Sequence, residues 1–282
     1  MKINFITFGD SSISRSKKRI TKQALEMDVY DYIYGYDEKG LDQNFCQKFK
    51  LILNNNTKGY GYWIWKSQII KQQLNKIEYG DIIHYADSGC HLNKMGRKRL
   101  LEYLEIVKTS FSGVLVFQPR DHPADVLNAK KSYDWPVYKY TKVDLLDYFG
   151  VMNDVDLLKS QQIVATTLFL RKTKITEQLV EEWCHVSQKI NLIDDTRSAR
   201  PQIEGFIDHR HDQSIFSLIV LKYLPDIISN YEIEYPDLNR DSKLDFRRIM
   251  DKPIHAKRDK GRSLIEKIKL KMKNYLIYKV PC

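Results

Sequence analysis

The stretch DIIHYADSGC, residues 81–90, decides how the rest of the chain is interpreted. Its apolar run Ile82–Tyr85 is typical of a buried strand, and the tight turn Asp87-Ser88-Gly89 follows almost at once. In a parallel sheet covered by helices, ligands bind outside the carboxyl ends of the strands. A carboxylate at that place is a suitable ligand for Mg²⁺ or Mn²⁺. The alternative is an ordinary turn in which Asp87 accepts hydrogen bonds from its own backbone.

The segments around this stretch alternate between strand and helix patterns. A strand is predicted at Ile3–Phe8, a helix from about Ser16 to Met27, and a second strand at Val29–Tyr34. Further strands are predicted at Val114–Gln118 and Ile163–Leu170, and further helices at Tyr62–Leu74, Lys94–Lys108, Thr173–Val186 and within Asp208–Tyr223. The predicted fold is therefore α/β, with a mixed, mostly parallel central sheet flanked by helices. Asp10 would lie at the carboxyl end of the first strand, at the same edge as Asp87.

The composition excludes several classes of protein. A chain of 282 residues, 43% of them hydrophobic, can bury a full core. Its four cysteines show no CxxC spacing, which indicates neither a zinc site nor a disulfide framework and fits a reducing cytoplasm. We expect no secretory signal peptide, because the apolar run in MKINFITFGD is short, and no transmembrane span, because no stretch of eighteen apolar residues occurs.

Most of the positive charge lies near the carboxyl end. Residues 255–282 contain nine Lys or Arg against two acidic residues, which places +7 of the net charge of +10 there. The remaining body is only weakly basic, which argues against nucleic acid as a partner. Residues 263–278, SLIEKIKLKMKNYLIY, have the pattern of a basic amphipathic helix and predict contact with an anionic membrane surface, peripheral at the inner face of the membrane. Docking on the body or on another subunit is the alternative.

A cluster of glycine and aromatic residues precedes a lysine in the segment GYGYWIWK, residues 59–66. Rings such as that of Trp65 can cover a sugar or a base while Lys66 binds a phosphate. A corner of the core, with Lys66 extending its ammonium to solvent, explains the same pattern.

Three segments in order, TFGD (7–10), GYGYWIWKSQII (59–70) and IEYGDIIHYADSGC (77–90), resemble those of bacterial glycosyltransferases with the GT-A fold that act in capsule, O-antigen and other polysaccharide or lipopolysaccharide assembly. The resemblance extends through most of residues 1 to 255. It implies a hexosyltransferase that uses a nucleotide sugar, with UDP-galactose or a related UDP-sugar as the favoured donor, and a glycan or lipid-linked glycan as acceptor. In that fold a DxD motif holds Mn²⁺ or Mg²⁺ on the diphosphate. Here only the first carboxylate, Asp87, is present.

The resemblance also assigns roles to individual residues. HRHDQSIF (209–216) resembles the acidic element beside the anomeric carbon, which implies Asp212 and Asp87 as catalytic carboxylates; the alternative for Asp212 is a helix N-cap. PIHAKRDKG (253–261) implies His255 as a metal ligand together with Asp87, although its charges would equally suit solvent or lipid. The expected donor-binding residues are Thr7, Phe8, Asp10, Trp65, Lys66, Asp87, Ser88, Gly89, Gln213, Lys257 and Arg258. The expected acceptor-binding residues are His211, Thr141 and Lys142. Residues 1–254 would form the transferase domain and residues 255–282 the segment that closes the site and contacts the membrane.

Two other functions use the same residue types. A nucleotidyltransferase or phosphotransferase also needs carboxylates, a metal and basic groups, but no GxxxxGK[ST] phosphate loop occurs. A noncatalytic peripheral membrane adaptor that binds a carbohydrate or a nucleotide is the third interpretation. Slow hydrolysis of a donor sugar in the absence of acceptor would exclude the adaptor, because only a working active site hydrolyses the donor.

Overall fold

The computed structural model describes residues 1–120, 134–234 and 250–259. Within them the chain forms a six-stranded sheet in the order β2-β1-β3-β6-β5-β7 and a separate two-stranded sheet of β4 and β8. The strands are β1 Ile3–Phe8, β2 Tyr32–Tyr36, β3 Ile82–Ala86, β4 His91–Leu92, β5 Val114–Gln118, β6 Val164–Arg171, β7 Asp226–Ser229 and β8 Ile254–His255.

The main sheet is mixed and mostly parallel. β1 pairs in parallel with β2 and β3, and β5 pairs in parallel with β7, whereas β6 is antiparallel to both β3 and β5. Five strands therefore run in one direction and β6 in the other. The predicted α/β class is confirmed. The amphipathic segment 263–278 lies outside the described residues, and the domain boundary after residue 254 stays a prediction.

Helices cover both faces of the sheet. Those described are α1 Ser14–Met27, α2 Gln43–Lys48, α3 Trp65–Leu74, α4 Arg97–Thr109, α5 Val137–Tyr140, α6 Val143–Tyr148, α7 Val155–Lys159, α8 Lys174–Ser187, α9 Ile190–Ile193 and α10 His211–Val220. In the described part of the chain none of them is long and apolar enough to span a bilayer.

Alternation along the strands divides the core into two layers. In β1, Phe5 joins the cluster that contains residues of α1 and α4, while Ile6 joins the cluster that contains residues of α3, α8 and α10. Successive side chains of a strand point to opposite faces, so a buried strand needs apolar residues at every position. The runs in β1, β3 and β5 largely meet that need, and their polar exceptions Asn4, Thr7 and His84 are buried as well. These mostly apolar runs are the reason that the sequence predicted the strand bounds well.

Two predicted elements differ from the structure. The second strand begins at Tyr32 rather than Val29, because the backbone of Asp31 first bonds to the carbonyl of Ile3 and sets the register with β1. The helix predicted from Tyr62 begins instead at Trp65. The residues immediately before it adopt a conformation that helical periodicity does not anticipate.

That conformation is a left-handed turn of five consecutive residues, Gly59 to Trp63, all with positive φ. The amide of Tyr62 donates to the carbonyl of Lys58 at 2.7 Å, so the turn closes with helix-like hydrogen bonds of the opposite hand. Left-handed helical backbone costs roughly 1 to 2 kcal/mol for each residue other than glycine. The Trp65 indole offsets part of this cost, because it donates to the carbonyl of Gly59 at 2.9 Å and stacks on Phe8 with ring centroids 4.0 Å apart.

Gly59→Ala tests whether the turn depends on its glycines. At φ +60°, a Cβ on residue 59 would overlap the indole ring of Trp63. We expect a loss of about 2 to 4 kcal/mol in unfolding free energy from backbone strain and overpacking together. The matched control is Gly150→Ala, where φ is +67° and no atom lies within 4 Å of the added Cβ, so only about 1 kcal/mol should be lost. Equal losses in urea unfolding of the two variants would contradict this account.

His84 lies fully buried in the centre of β3. Its ring stacks on Phe169 at 4.0 Å, Nδ1 lies 2.7 Å from the Tyr30 hydroxyl, and Nε2 lies 3.0 Å from Oγ1 of Thr167. Because Thr167 donates its own proton to the carbonyl of Tyr85, it accepts one from Nε2, and Nδ1 then accepts from Tyr30. Burial lowers the pKa of His84 to about 3, so the neutral ring is the folded form.

His84 should therefore make the fold sensitive to acid. Between pH 6.5 and about 3 the unfolded chain binds a proton here that the folded chain does not, so stability falls as pH falls through this window. We expect His84→Gln to remove up to about 1.4 kcal/mol per pH unit from the slope of unfolding free energy between pH 6 and 4. His185→Gln, at an exposed position of α8, should keep the slope of the unchanged protein. If unfolding free energy depends on pH with the same slope in His84→Gln and in the unchanged protein, the assignment is refuted.

Candidate active site

A buried lysine and two carboxylates meet at the carboxyl edge of the main sheet. The Lys66 ammonium lies 2.6 Å from Oδ2 of Asp212 and 3.3 Å from Oδ1 of Asp87. It also donates to the carbonyl of Ala165 at 3.1 Å. The Lys66 side chain is only 3% exposed, so it does not extend to solvent. We call Asp87, Lys66 and Asp212 the carboxylate–lysine triad.

Three elements bring the triad together. Asp87 follows β3, and its amide donates to the carbonyl of Thr166, which continues the pairing of β3 with β6 beyond the strand end. Lys66 lies in the first turn of α3, directly after the left-handed turn. Asp212 lies in the first turn of α10, and the N-cap of that helix is Arg210, so Asp212 is not the cap. Its carboxylate points to Lys66 instead.

The Asp87 side chain does not stabilise its own turn. Oδ1 accepts a hydrogen bond from the Tyr85 hydroxyl and faces Lys66. The Asp87 side chain is 32% exposed, against 8% for Asp212. Asp87 is therefore the carboxylate of the triad that a ligand can reach most directly, and Asp212 lies behind it.

Burial and charge act in opposite directions within the triad. Burial raises the pKa of the Asp212 carboxyl and the Asp87 charge adds to that effect, while Lys66 lowers it; the net direction is upward. For Lys66, burial alone lowers the pKa, but the charges of Asp212 and Asp87 outweigh it and the pKa is raised. The lysine therefore stays protonated. A carboxyl with a raised pKa is closer to the working range of a general base.

The segment 255–259 covers the Asp87 turn. The amide of Asp259 donates to the carbonyl of Gly89 at 2.9 Å, and a Cβ on Gly89 would lie 3.3 Å from the Cα of Arg258. Asp259 is anchored in turn by Arg19, whose Nη1 lies 3.0 Å from its carboxylate, and by His91 at 3.1 Å. Glycine at position 89 thus allows the basic segment to lie directly against the turn, with Arg258 exposed and Lys257 half-buried.

Arg210 is a residue of this region that sequence reasoning missed. Its guanidinium stacks between two rings, 4.3 Å from the centroid of Trp135 and 4.1 Å from that of Tyr140. Burial lowers its pKa, and the charge of Arg258 acts in the same direction. The only signal in the sequence was an arginine two positions before Asp212, with nothing to indicate the rings that hold it.

The residues expected to bind an acceptor are deeply placed. The ammonium of Lys142 is 2% exposed and lies 3.2 Å from Oδ1 of Asp194, with further bonds to Thr196. This charge supports the loop 194–196 and offers nothing to a ligand at the surface. Thr141 is also buried, where its hydroxyl accepts from Gln162. The Lys142 ammonium thus already has several oxygen partners within the fold, and its role in acceptor binding stays a prediction.

His211 is buried beside the triad in a strained conformation, with φ +49°. Its Nδ1 bonds to the carbonyl of Ile193 at 2.6 Å, and its ring packs 5.3 Å from the centroid of Tyr62 and 5.4 Å from that of Trp63. Non-glycine residues in this region cost about 1 to 3 kcal/mol and concentrate at functional sites. The left-handed turn and the strained start of α10 thus pack against each other.

The other predicted donor residues lie at the same edge, in different degrees of burial. Thr7, Phe8, Trp65 and Ser88 are buried, and the Asp10 carboxylate accepts hydrogen bonds from Ser12 within its own turn. Gln213 donates to Gln162 at 2.9 Å. Among the predicted donor residues, Asp87 and Arg258 are more exposed than the buried ones. Their roles in donor binding stay predictions.

The predicted metal site can be compared with the groups that are present. Within residues 1–120, 134–234 and 250–259, no group of three His, Cys, Asp or Glu side chains is arranged to hold a metal ion. His255, the expected partner of Asp87, is buried in β8, paired with His91 of β4. The cationic position between Asp87 and Asp212 is taken by the Lys66 ammonium. The described residues therefore do not fit a divalent cation bound between these carboxylates.

No family model matches this chain, and no curated protein matches it either. It does align with solved structures. The alignment with a glycosyltransferase involved in the glycosylation of the major capsid of PBCV-1 covers 90% of this chain and 92% of that protein, at 11% identity and a TM-score of 0.49. For mouse xyloside xylosyltransferase 1 the shares are 91% and 97%, at 10% identity and a TM-score of 0.46. The alignment with the 4-diphosphocytidyl-2C-methyl-D-erythritol synthase of Anaerococcus prevotii covers 81% of this chain and 86% of that protein, at 9% identity and a TM-score of 0.39. A function for this chain must accordingly be argued from its own site.

Lys66→Met tests the triad as a structural unit. The change keeps the length of the side chain but leaves two carboxylates without the cation between them, and breaking a buried pair costs about 3 to 5 kcal/mol. Lys71→Met is the matched control, because Lys71 lies in the same helix and its pair with Glu181 at 2.7 Å is largely exposed. That variant should lose at most about 1 kcal/mol in urea unfolding.

The double variant Lys66→Met, Asp212→Asn checks the pairing itself. Removing the buried negative charge should recover part of the lost stability, with a coupling of about 1 to 3 kcal/mol between the two positions. Additive losses would mean that Lys66 stabilises the fold by packing alone.

Proposed function

We propose that this chain is a glycosyltransferase that moves a hexose from a nucleotide sugar to a glycan acceptor, with the carboxylate–lysine triad at its centre. The observation that carries the proposal is an accessible carboxylate, Asp87, held at the carboxyl edge of the sheet by a buried lysine and covered by the basic segment 255–259. A glycosyl transfer needs a carboxylate that binds the donor sugar, a positive charge beside the leaving diphosphate and a base for the acceptor hydroxyl.

The donor would lie across the end of β3. Asp87 offers an oxygen to hydroxyl groups of the sugar or ribose, and the Tyr85 hydroxyl fixes the orientation of that carboxylate. Arg258, which lies against Gly89, supplies positive charge beside the turn. Departure of a nucleoside diphosphate develops negative charge, and fixed cations that offset it lower the barrier.

Asp212 is the candidate general base. Its Oδ2 faces Lys66, which leaves Oδ1 as the oxygen that can face a ligand. Burial raises the pKa of this carboxyl, which strengthens it as a base for an acceptor hydroxyl. Lys66 then has a positioning role, since it fixes Asp87 and Asp212 relative to each other without being exposed itself.

The finer features of the proposal come from the sequence. A UDP-sugar such as UDP-galactose as donor, a role in capsule or O-antigen assembly and a lipid-linked acceptor follow the resemblance to GT-A enzymes of polysaccharide synthesis. The excess of basic residues after residue 255 is consistent with such an acceptor, because anionic lipid surfaces attract clustered Lys and Arg.

Asp87→Asn should reduce release of nucleotide from the donor by about 10² to 10⁴-fold, since the accessible carboxylate is lost while its shape is kept. The assay follows nucleoside diphosphate formed from a panel of UDP-sugars and GDP-sugars, with and without glycan acceptors. Asp37→Asn is the matched control. Asp37 directly follows β2 at the same sheet edge, its side chain is 39% exposed and it pairs with Lys17 at 2.9 Å, but it takes no part in the triad. It should keep normal turnover.

Two outcomes would oppose the proposal. Near-normal turnover in Asp87→Asn would remove Asp87 from the site. Binding of a donor with no turnover in the unchanged protein, with or without acceptors, would favour the noncatalytic adaptor.

A further inference from the structure

Two cations at the site have no carboxylate partner. Among the described residues, neither Arg210 nor Arg258 forms an ion pair with an acidic side chain. Two neighbouring cations do: Arg19 pairs with Asp259, and Lys66 pairs with both triad carboxylates. A guanidinium group without a carboxylate partner keeps its N–H donors available for an anionic ligand.

The two arginines belong to the two segments that adjoin the triad carboxylates. Arg258 lies against Gly89, two residues after Asp87, and Arg210 lies two residues before Asp212. Stacking between Trp135 and Tyr140 fixes the plane of the Arg210 guanidinium, so little conformational freedom is lost when its N–H groups bind a ligand. A planar guanidinium binds phosphate oxygens in pairs, which makes arginine well suited to a diphosphate.

Within the triad, the Lys66 ammonium neutralises one of the two carboxylate charges. Two carboxylates and one ammonium leave a single net negative charge, and the ammonium lies at 2.6 and 3.3 Å from the oxygens that a metal ion would need. A divalent cation at that position would have to displace a buried Lys66 side chain. The positive charge that a leaving diphosphate requires must therefore come from other cations at this edge.

We propose that the site binds the diphosphate of its nucleotide ligand without a divalent cation, through the Arg210 and Arg258 guanidinium groups, while Lys66 holds the carboxylate pair in the place of a metal. The inference rests on the proposed function and adds to it Arg210 as a donor-binding residue and a metal-independent mode of binding. It also departs from the metal site that the DxD resemblance implies.

The first experiment measures nucleotide affinity with and without metal. Isothermal titration of UDP, GDP and inorganic pyrophosphate into the full chain is run in EDTA and again in MnCl₂. We expect one of the nucleotides to bind with the same Kd, within about twofold, in both conditions. Arg210→Gln and Arg258→Gln should each weaken that binding in EDTA by roughly tenfold or more, the usual loss of a charge-assisted hydrogen bond. Arg97→Gln, on an exposed arginine of α4 whose charge pairs with Asp28, should leave it unchanged.

The outcomes separate the inference from the proposed function. Nucleotide binding that requires Mn²⁺, or that is indifferent to both Arg210→Gln and Arg258→Gln, would overturn the inference and leave the transferase proposal standing. Failure of every nucleotide to bind in either condition would overturn the proposed function and the inference with it.

A second measurement does not depend on nucleotide. Electron paramagnetic resonance of Mn²⁺ added to the unchanged protein should show free ion only, because Lys66 occupies the position between the carboxylates. Lys66→Met should gain a bound Mn²⁺ signal, and adding Asp212→Asn to it should remove that signal. Tight Mn²⁺ binding by the unchanged protein would contradict the inference even if Lys66→Met fails to fold.

Discussion

The ion pairs of Lys66 are the interaction on which the rest of the site depends. An ammonium removed from water is costly unless charge and hydrogen bonds replace its hydration. Here Asp212, Asp87 and the carbonyl of Ala165 replace it together. Each partner comes from a different part of the chain, so burial of one lysine fixes the end of β3, the start of β6 and the start of α10 relative to α3. The position of the accessible carboxylate follows from that arrangement.

Strand direction explains why these parts can meet. In an all-parallel sheet, the carboxyl edge would receive only strand ends and the loops that follow them. Because β6 runs against β3 and β5, its first residues also lie at this edge, and the carbonyls of Ala165 and Thr166 become available to Lys66 and to the Asp87 amide. Close approach of backbone then matters as much as side chains, as at Gly89, where any larger residue would press on Arg258.

The sequence predicted the parts of this architecture that depend on local pattern. β1 at Ile3–Phe8 and β5 at Val114–Gln118 have their predicted bounds, because mostly apolar runs end at turn residues. Asp87 was found by its position after such a run. Local pattern could not predict the left-handed conformation of the Gly59–Trp63 turn, because it depends on the stacking of Trp65 on Phe8. Nor could it predict which rings stack on Arg210. It also suggested ligand roles for Lys142, whose charge proves to be satisfied inside the fold by Asp194.

The distance along the chain between the partners of Lys66 has a consequence for biosynthesis. Asp87 is made soon after the lysine, but Asp212 follows only after β5, β6 and α8 have been made. Until α10 emerges from the ribosome and docks, the lysine has only one carboxylate partner, and burial of its ammonium remains unfavourable. The carboxylate–lysine triad is therefore completed late, after most of the sheet exists, and a nascent chain that ends before α10 would carry the sheet without the complete triad.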